Sequence, residues 1–248
     1  MVNEAAHIIF QARRTRTTVP RLPEHLRPGD PESALAVQDE VTRLLALPVA
    51  AWKCAVPRPG RIGVAPIFAV YRQSPVPVLS SDGAKLAEPE IAFVLNRDFP
   101  PRSRPYTDAE IREAIAEARF AIEVIGPRLS DIQATEFTEK MADHVMNEAL
   151  FIGPLMSAPI DEQLAAFPVT VDGPQGRLHT LDGKHPDGNP FPPFAFLVNF
   201  LASRGPGLKQ GDVVTTGSYI GFVSVPVGVP LKFTYGALGT LGVELVAI

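Results

Sequence analysis

The chain has 248 residues, 46% hydrophobic and 20% charged, with a net charge of −4. That balance suits a globular protein with ample core and excludes the basic footprint of a nucleic-acid binder. No apolar run reaches the ~20 residues needed to cross a bilayer as a helix. The single cysteine, Cys54, cannot form an intrachain disulfide, which fits a reducing cytoplasm.

Prolines (26) and glycines (19) are spread along the chain and predict many short strands and turns. The N-terminus has no basic leader ahead of a long apolar region, so no signal peptide is expected. Residues 2–16 read as a short helix with Ile8, Ile9 and Ala12 on its apolar side. Its Arg13, Arg14 and Arg16 form a charge run of the kind that usually faces solvent. After a proline-rich link, 33–47 reads as a helix capped by Ser33 or Asp30 and ended by Pro48.

Residues 48–57 read as a buried strand interrupted by Lys53. A lysine among apolar neighbours either snorkels at a strand end or offers its charge to an anionic substrate. Residues 58–70 read as loop, 67–71 and 76–79 as short strands, and 80–83 as a turn. The next strand, 88–95, carries Glu88 and Glu90 on one face and Ile91, Phe93 and Leu95 on the other. Two acids so spaced are either solvated at an exposed edge or converge on a hard divalent cation.

Thr107 and Glu110 form a capping box that predicts a helix with Ile111, Ala114, Ile115 and Ala118 on its apolar face. From Phe120 the pattern alternates as a strand that contains Glu123 and ends at Gly126-Pro127. A carboxylate buried there needs a cation or solvent. Residues 128–141 read as loop or short helix, and the polar segment 141–148 precedes a strand at 149–152. A strand and turn follow at 168–176, a loop at 183–193 and a helix at 194–203, and glycine- and proline-broken strands fill the tail. No nucleotide-binding loop and no internal repeat is evident.

Taken in order, Trp52-Lys53, Glu88-x-Glu90-Ile-Ala-Phe-Val-Leu, Ala121-Ile-Glu123-Val-Ile-Gly126, Ala142-Asp143, Gly188-Asn-Pro190 and Gly211 to Gly217 resemble the fumarylacetoacetate hydrolase superfamily. The branch they resemble most is that of the 2-keto-4-pentenoate hydratases and 4-oxalocrotonate decarboxylases. The resemblance implies an α+β, mostly β fold: a mixed β-sandwich roll with N-terminal helices. The whole of 1–248 would be one catalytic domain, with a helical segment at 1–50 and the roll at 51–248.

It further implies Mg²⁺ or Mn²⁺ held by Glu88, Glu90 and Glu123, and a 2-oxo or 2-hydroxydienoate acid beside Lys53, Thr216 and Gly217. The implied activity is a hydro-lyase of aromatic-compound breakdown. A decarboxylase or an acylpyruvate-type hydrolase shares the same metal chemistry. The chain departs from the family pattern after Lys53, at Gly63–Ile67, where an acid is absent, and after Asp143. If the last segment is helical, His144 and Glu148 supply an acid/base pair beside Asp143. A metal-binding partner subunit without turnover is the reading of another class. The expected partners are a small 2-oxo acid, further copies of the chain and a related decarboxylase, with no nucleic acid and no membrane.

Overall fold

The computed structural model describes residues 1–158, 160 and 162–248. Two helices open the chain, α1 (Val2–Thr15) and α2 (Pro31–Leu45). Asp30 caps α2 by accepting from Ser33 N at 2.7 Å, and Ser33 Oγ closes a reciprocal capping box. The strands β1 (Ala51–Cys54), β2 (Val64–Ile67), β3 (Val70–Tyr71), β4 (Val76–Val78) and β5 (Ala84–Leu95) follow. After α3 (Asp108–Arg112) come β6 (Ile115–Ile125), α4 (Phe137–Ala142), β7 (Asn147–Leu155), β8 (Ala166–Gly173) and β9 (Gly176–Lys184). Helix α5 (Phe191–Arg204) precedes β10 (Val213–Thr215), β11 (Val223–Pro226), β12 (Pro230–Tyr235) and β13 (Gly239–Ala247).

The strands form two sheets. One has the order β2-β1-β10-β5-β6-β7-β3, with β11 paired to the start of β5. The other has the order β4-β13-β12-β8-β9. Strand β5 shows why they pack as they do. Its Ala87, Ile91, Phe93 and Leu95 lie in the large core with Val169, Phe233, Tyr235 and Leu241 of the second sheet. Its opposite face carries Glu88, Glu90, Ala92 and Val94 into the inside of a roll.

That roll is nearly closed. Asn147 Nδ2, at the start of β7, reaches Pro66 O of β2 at 2.9 Å. Ala51, Ile67, Ala92, Ala121, Leu150, Ile152 and Val213 fill its interior. Small and branched side chains let strands from opposite ends of the sheet approach. Helices α1 and α2 pack on each other through Ala5, Ala6, Ile9, Val37 and Val41. The mostly β fold expected from the motifs is the observed one.

Three elements differ from the sequence reading. The loop expected at 58–70 contains β2, whose four residues are all buried. The helix expected to reach Ala118 stops at Arg112, and Ile115 begins β6. Pairing along the whole of β5 outweighs the helical spacing of those four apolar residues. The region after Gly176 forms β9, an edge strand whose side chains are almost all exposed, so it carries no apolar alternation.

Candidate active site

Glu88 and Glu123 sit opposite each other across the β5–β6 ladder, and Glu90 lies one same-face step along β5. Oxygens of the three carboxylates fall within 4.8 Å of one another. Glu90 and Glu123 are fully buried, and Glu88 keeps slight exposure. From β1, Lys53 extends its ammonium to Glu123 Oε1 at 2.6 Å and Glu88 Oε2 at 3.8 Å. Register explains the meeting: Lys53 pairs with Thr215 of β10, and Thr215 pairs with Ala92 of β5.

Glu90 is held from the β10 side. Thr215 Oγ1 donates to Glu90 Oε2, and Gly217 N donates to the same oxygen at 2.8 Å. Gly217 has φ 108°, a conformation that glycine adopts without strain and that aims its N–H inward. Thr216 is buried and its hydroxyl donates to Ile91 O at 3.2 Å, away from the carboxylates. Thr215 was not singled out from sequence, although it is the inward residue of a Val-Val-Thr strand, two along from Val213.

Electrostatics mark this cluster as incomplete. Burial, then the Glu88 charge, push Glu90 up to about 6 against the opposing effects of Lys53 and its two hydrogen bonds. Burial raises Glu123 well above the carboxylate range despite Lys53. Burial pulls on Lys53 in the opposite sense, but the charges of Glu123, Glu88 and Glu90 outweigh it and keep the ammonium protonated. One ammonium cannot balance three ionised carboxylates. Glu90 Oε1 and Glu123 Oε2 are buried with no hydrogen-bond partner. Buried orphaned carboxylate oxygens in a cluster of three close acids with a single ammonium fit a hard divalent cation.

The other three expected residues are held elsewhere. Buried Asp143 accepts from Arg128 N at 2.8 Å and from Arg128 Nε at 2.5 Å. His144 is fully buried, with Nε2 3.0 Å from Thr42 Oγ1 and its ring edge-on to Phe68. Burial, with the charges of Arg13 and Arg128, moves its pKa far below the ordinary value, so it stays neutral. Glu148 accepts from Lys85 Nζ at 2.5 Å and Leu79 N at 2.7 Å. The helical His144–Glu148 pair expected from their spacing is not formed. His144, Val145 and Met146 all adopt left-handed backbone, with φ of 51°, 50° and 62°, and Asn147 opens β7.

Sequence reasoning also missed a group at the Gly217 turn. His185 is buried, its Nδ1 accepts from Asp187 N at 3.2 Å, and its Nε2 has no partner. Burial lowers its pKa to about 4. Asp187 in turn accepts from Val56 N at 2.9 Å, tying this loop to the end of β1.

The fold, a rolled sheet packed on a second sheet, is the fumarylacetoacetate-hydrolase-like one that the motifs implied. In sequence the chain is similar to the TodF product hydratase of Pseudomonas putida F1, 25% identical over 97% of this chain and 93% of that protein. It is 24% identical to 2-hydroxyhexa-2,4-dienoate hydratase of Comamonas testosteroni over 64% of this chain, a match that spans 59% of that relative's length. In structure it is similar to 4-oxalocrotonate decarboxylase from Pseudomonas putida G7, complexed with magnesium and adipate. That match has a TM-score of 0.78 at 18% identity and covers 99% of this chain and 97% of the other. Maleylpyruvate hydrolase from Sphingobium sp. SYK-6, in complex with manganese(II) and pyruvate, matches with a TM-score of 0.52 at 14% identity, covering 79% and 70%. No protein-family profile matches the chain.

Proposed function

We propose that the chain is a divalent-metal-dependent lyase, a hydratase that adds water to a 2-hydroxydienoate or 2-oxo-alkenoate of aromatic-compound breakdown. The observation that carries this is the close cluster of Glu88, Glu90 and Glu123 beside a charged lysine, with Glu90 Oε1 and Glu123 Oε2 buried and without partners. Glu88, Glu90 and Glu123 would hold Mg²⁺ or Mn²⁺. The ion would supply Lewis acidity toward a chelating 2-oxo acid.

The remaining work falls to the chain. Thr215 and Gly217 fix one oxygen of Glu90 and leave the other free. Lys53 keeps its proton and places positive charge where an acid binds and where an enolate gains negative charge. The apolar interior around Ala92, Ala121 and Leu150 keeps bulk water from that charge and strengthens its field. The names of the two sequence relatives, both hydratases, support the reaction class. A decarboxylase of the kind matched in structure would use the same cluster, so the assay must separate the two.

The test is a panel of 2-hydroxypenta-2,4-dienoate, 4-oxalocrotonate, oxaloacetate and an acylpyruvate, each with and without Mg²⁺. Mg²⁺-dependent loss of the dienoate is the expected result. Turnover of 4-oxalocrotonate alone would make the chain a decarboxylase. Mg²⁺ binding with no turnover of any acid would make it a non-catalytic subunit.

A further inference from the structure

A cavity of about 760 Å³ lies between α1, the β4–β5 turn and the β6–β7 corner. Arg13, Arg16, Lys85 and Arg128 line it, together with the acids Asp82 and Glu148. Two of these cations are spoken for. Lys85 is neutralised by Glu148 and Arg128 by Asp143, each at 2.5 Å. Arg13 differs. Among the described residues no carboxylate lies within ion-pair distance of it. Its Nη2 donates to the backbone oxygen of Asn147 at 3.0 Å, and its guanidinium lies 5.7 Å from the Phe68 ring centroid. Its Nε is buried and has no partner at all.

Burial and the neighbouring Arg128 charge disfavour the cation strongly enough to bring its pKa down to about 9, yet it remains charged at neutral pH. A partly buried guanidinium with one orphaned N–H and no carboxylate partner, on a cavity wall, is a costly arrangement that a bound anion would relieve. A carboxylate suits it best, because the planar fork donates two parallel hydrogen bonds to one carboxylate.

We propose that this cavity is a carboxylate-binding subsite anchored by Arg13. The inference does not need the metal-centre reading, since Arg13 touches none of the three acids. The two sites are nevertheless neighbours. Leu86 and Ile125 line the cavity, and each lies two residues along its strand from Glu88 or Glu123. One same-face step on a strand is ~7 Å. The carboxylate is therefore either the far end of an acid held at the metal centre or a separate small acid.

The probe is glutarate, titrated into the metal-free full-length chain by calorimetry and by thermal melting. Glutarate is expected to bind and raise the melting temperature, and uncharged glutaramide to do neither. Arg13→Gln should weaken glutarate at least tenfold, Arg13→Lys should recover part of the loss, and Glu88→Gln should bind it as the parent does. Equal binding of glutarate and glutaramide by the parent would overturn the subsite without reference to any variant's folding. So would equal glutarate affinity in the parent and a folded Arg13→Gln. A loss in Glu88→Gln with none in Arg13→Gln would place the anion at the metal centre instead.

The source is read in a second arm. If the anion is the far end of the substrate, saturating a Mg²⁺-loaded chain with a 2-oxo monoacid displaces no glutarate. In that case the preference for a 2-oxo diacid over the monoacid falls about tenfold in Arg13→Gln. If it is a separate acid, glutarate binds alongside either oxo acid and the preference is unchanged.

Discussion

At the scale of single residues, the site depends on side chains that hold a carboxylate in one pose without neutralising it. Thr215 and Gly217 share one oxygen of Glu90, and the other is free. Thr215→Val keeps the shape and removes the donor. A hydrogen bond to a buried charged group contributes about 1.5–3 kcal/mol, so urea unfolding at pH 7 should show a loss of about that size, with weaker Mg²⁺ binding by calorimetry. Thr216→Val removes a bond to a neutral backbone oxygen and should cost about 1 kcal/mol with unchanged Mg²⁺ affinity. A second residue-scale effect comes from His185. Its folded pKa, about 4, lies below its unfolded value of about 6.5. The unfolded chain then binds more protons between these limits, so the stability His185 contributes is full above pH 6.5 and is lost as pH falls toward 4. At 1.36 kcal/mol per unit the change approaches ~3 kcal/mol. The stability of the parent relative to His185→Gln should fall as pH is lowered from 6.5 to 4, and a pH-independent difference would remove His185 as its source.

At the scale of elements, the segment from Asp143 to Asn147 has the least expected geometry. Three successive non-glycine residues with positive φ cost about 1–2 kcal/mol each relative to ordinary backbone. They persist because the corner is tied from all sides. Arg128 binds the carboxylate and carbonyl of Asp143 and reaches Asn147 O at 2.7 Å, while Asn147 Nδ2 binds His144 O and Pro66 O. Val145, β-branched and only partly buried, bears the strain with the least packing in return. Val145→Gly should therefore raise stability by about 0.5–1 kcal/mol in chemical denaturation, where an ordinary buried truncation lowers it. This corner was not legible in the sequence, because nothing in His144-Val-Met marks left-handed backbone and four-residue spacing suggested a helix. The β5 and β6 strands were legible, since Ile91, Phe93 and Leu95 alternate cleanly with the inward acids. Edge strand β9 was not, as its Arg177, Leu178, Thr180 and Leu181 are exposed on both faces. Register, which joins Lys53 to Glu123 across two intervening strands, is a property of the sheet and of no local pattern.

At the scale of the molecule, the two sheets solve different problems. The second sheet buries the apolar face of β5 within the large core. The rolled sheet uses its inner face to gather charge from β1, β5 and β6 and hydrogen-bond donors from β10 beside a buried apolar interior. The acids were recognisable in sequence because Glu88 and Glu90 share one face at the head of an apolar strand and Glu123 lies inside another; their net excess of negative charge was not, because it depends on how many cations the roll brings in. That excess opposes the folded state until a cation offsets it, so metal and stability must be linked. A ligand at one hundred times its Kd contributes about 2.7 kcal/mol, and about 2–4 °C accompanies each kcal/mol in a chain of this size. Mg²⁺ added to the chelator-treated protein at pH 7 should raise the melting temperature by about 5–11 °C. With Glu90 titrating near 6 and burial raising Glu123 well above the carboxylate range, protons compete with the cation at both acids, and the increment should shrink as pH falls from 6.5 to 5. Glu123→Gln should abolish the increment at every pH, and a Mg²⁺ shift that survives in this variant would put the cation somewhere other than the roll.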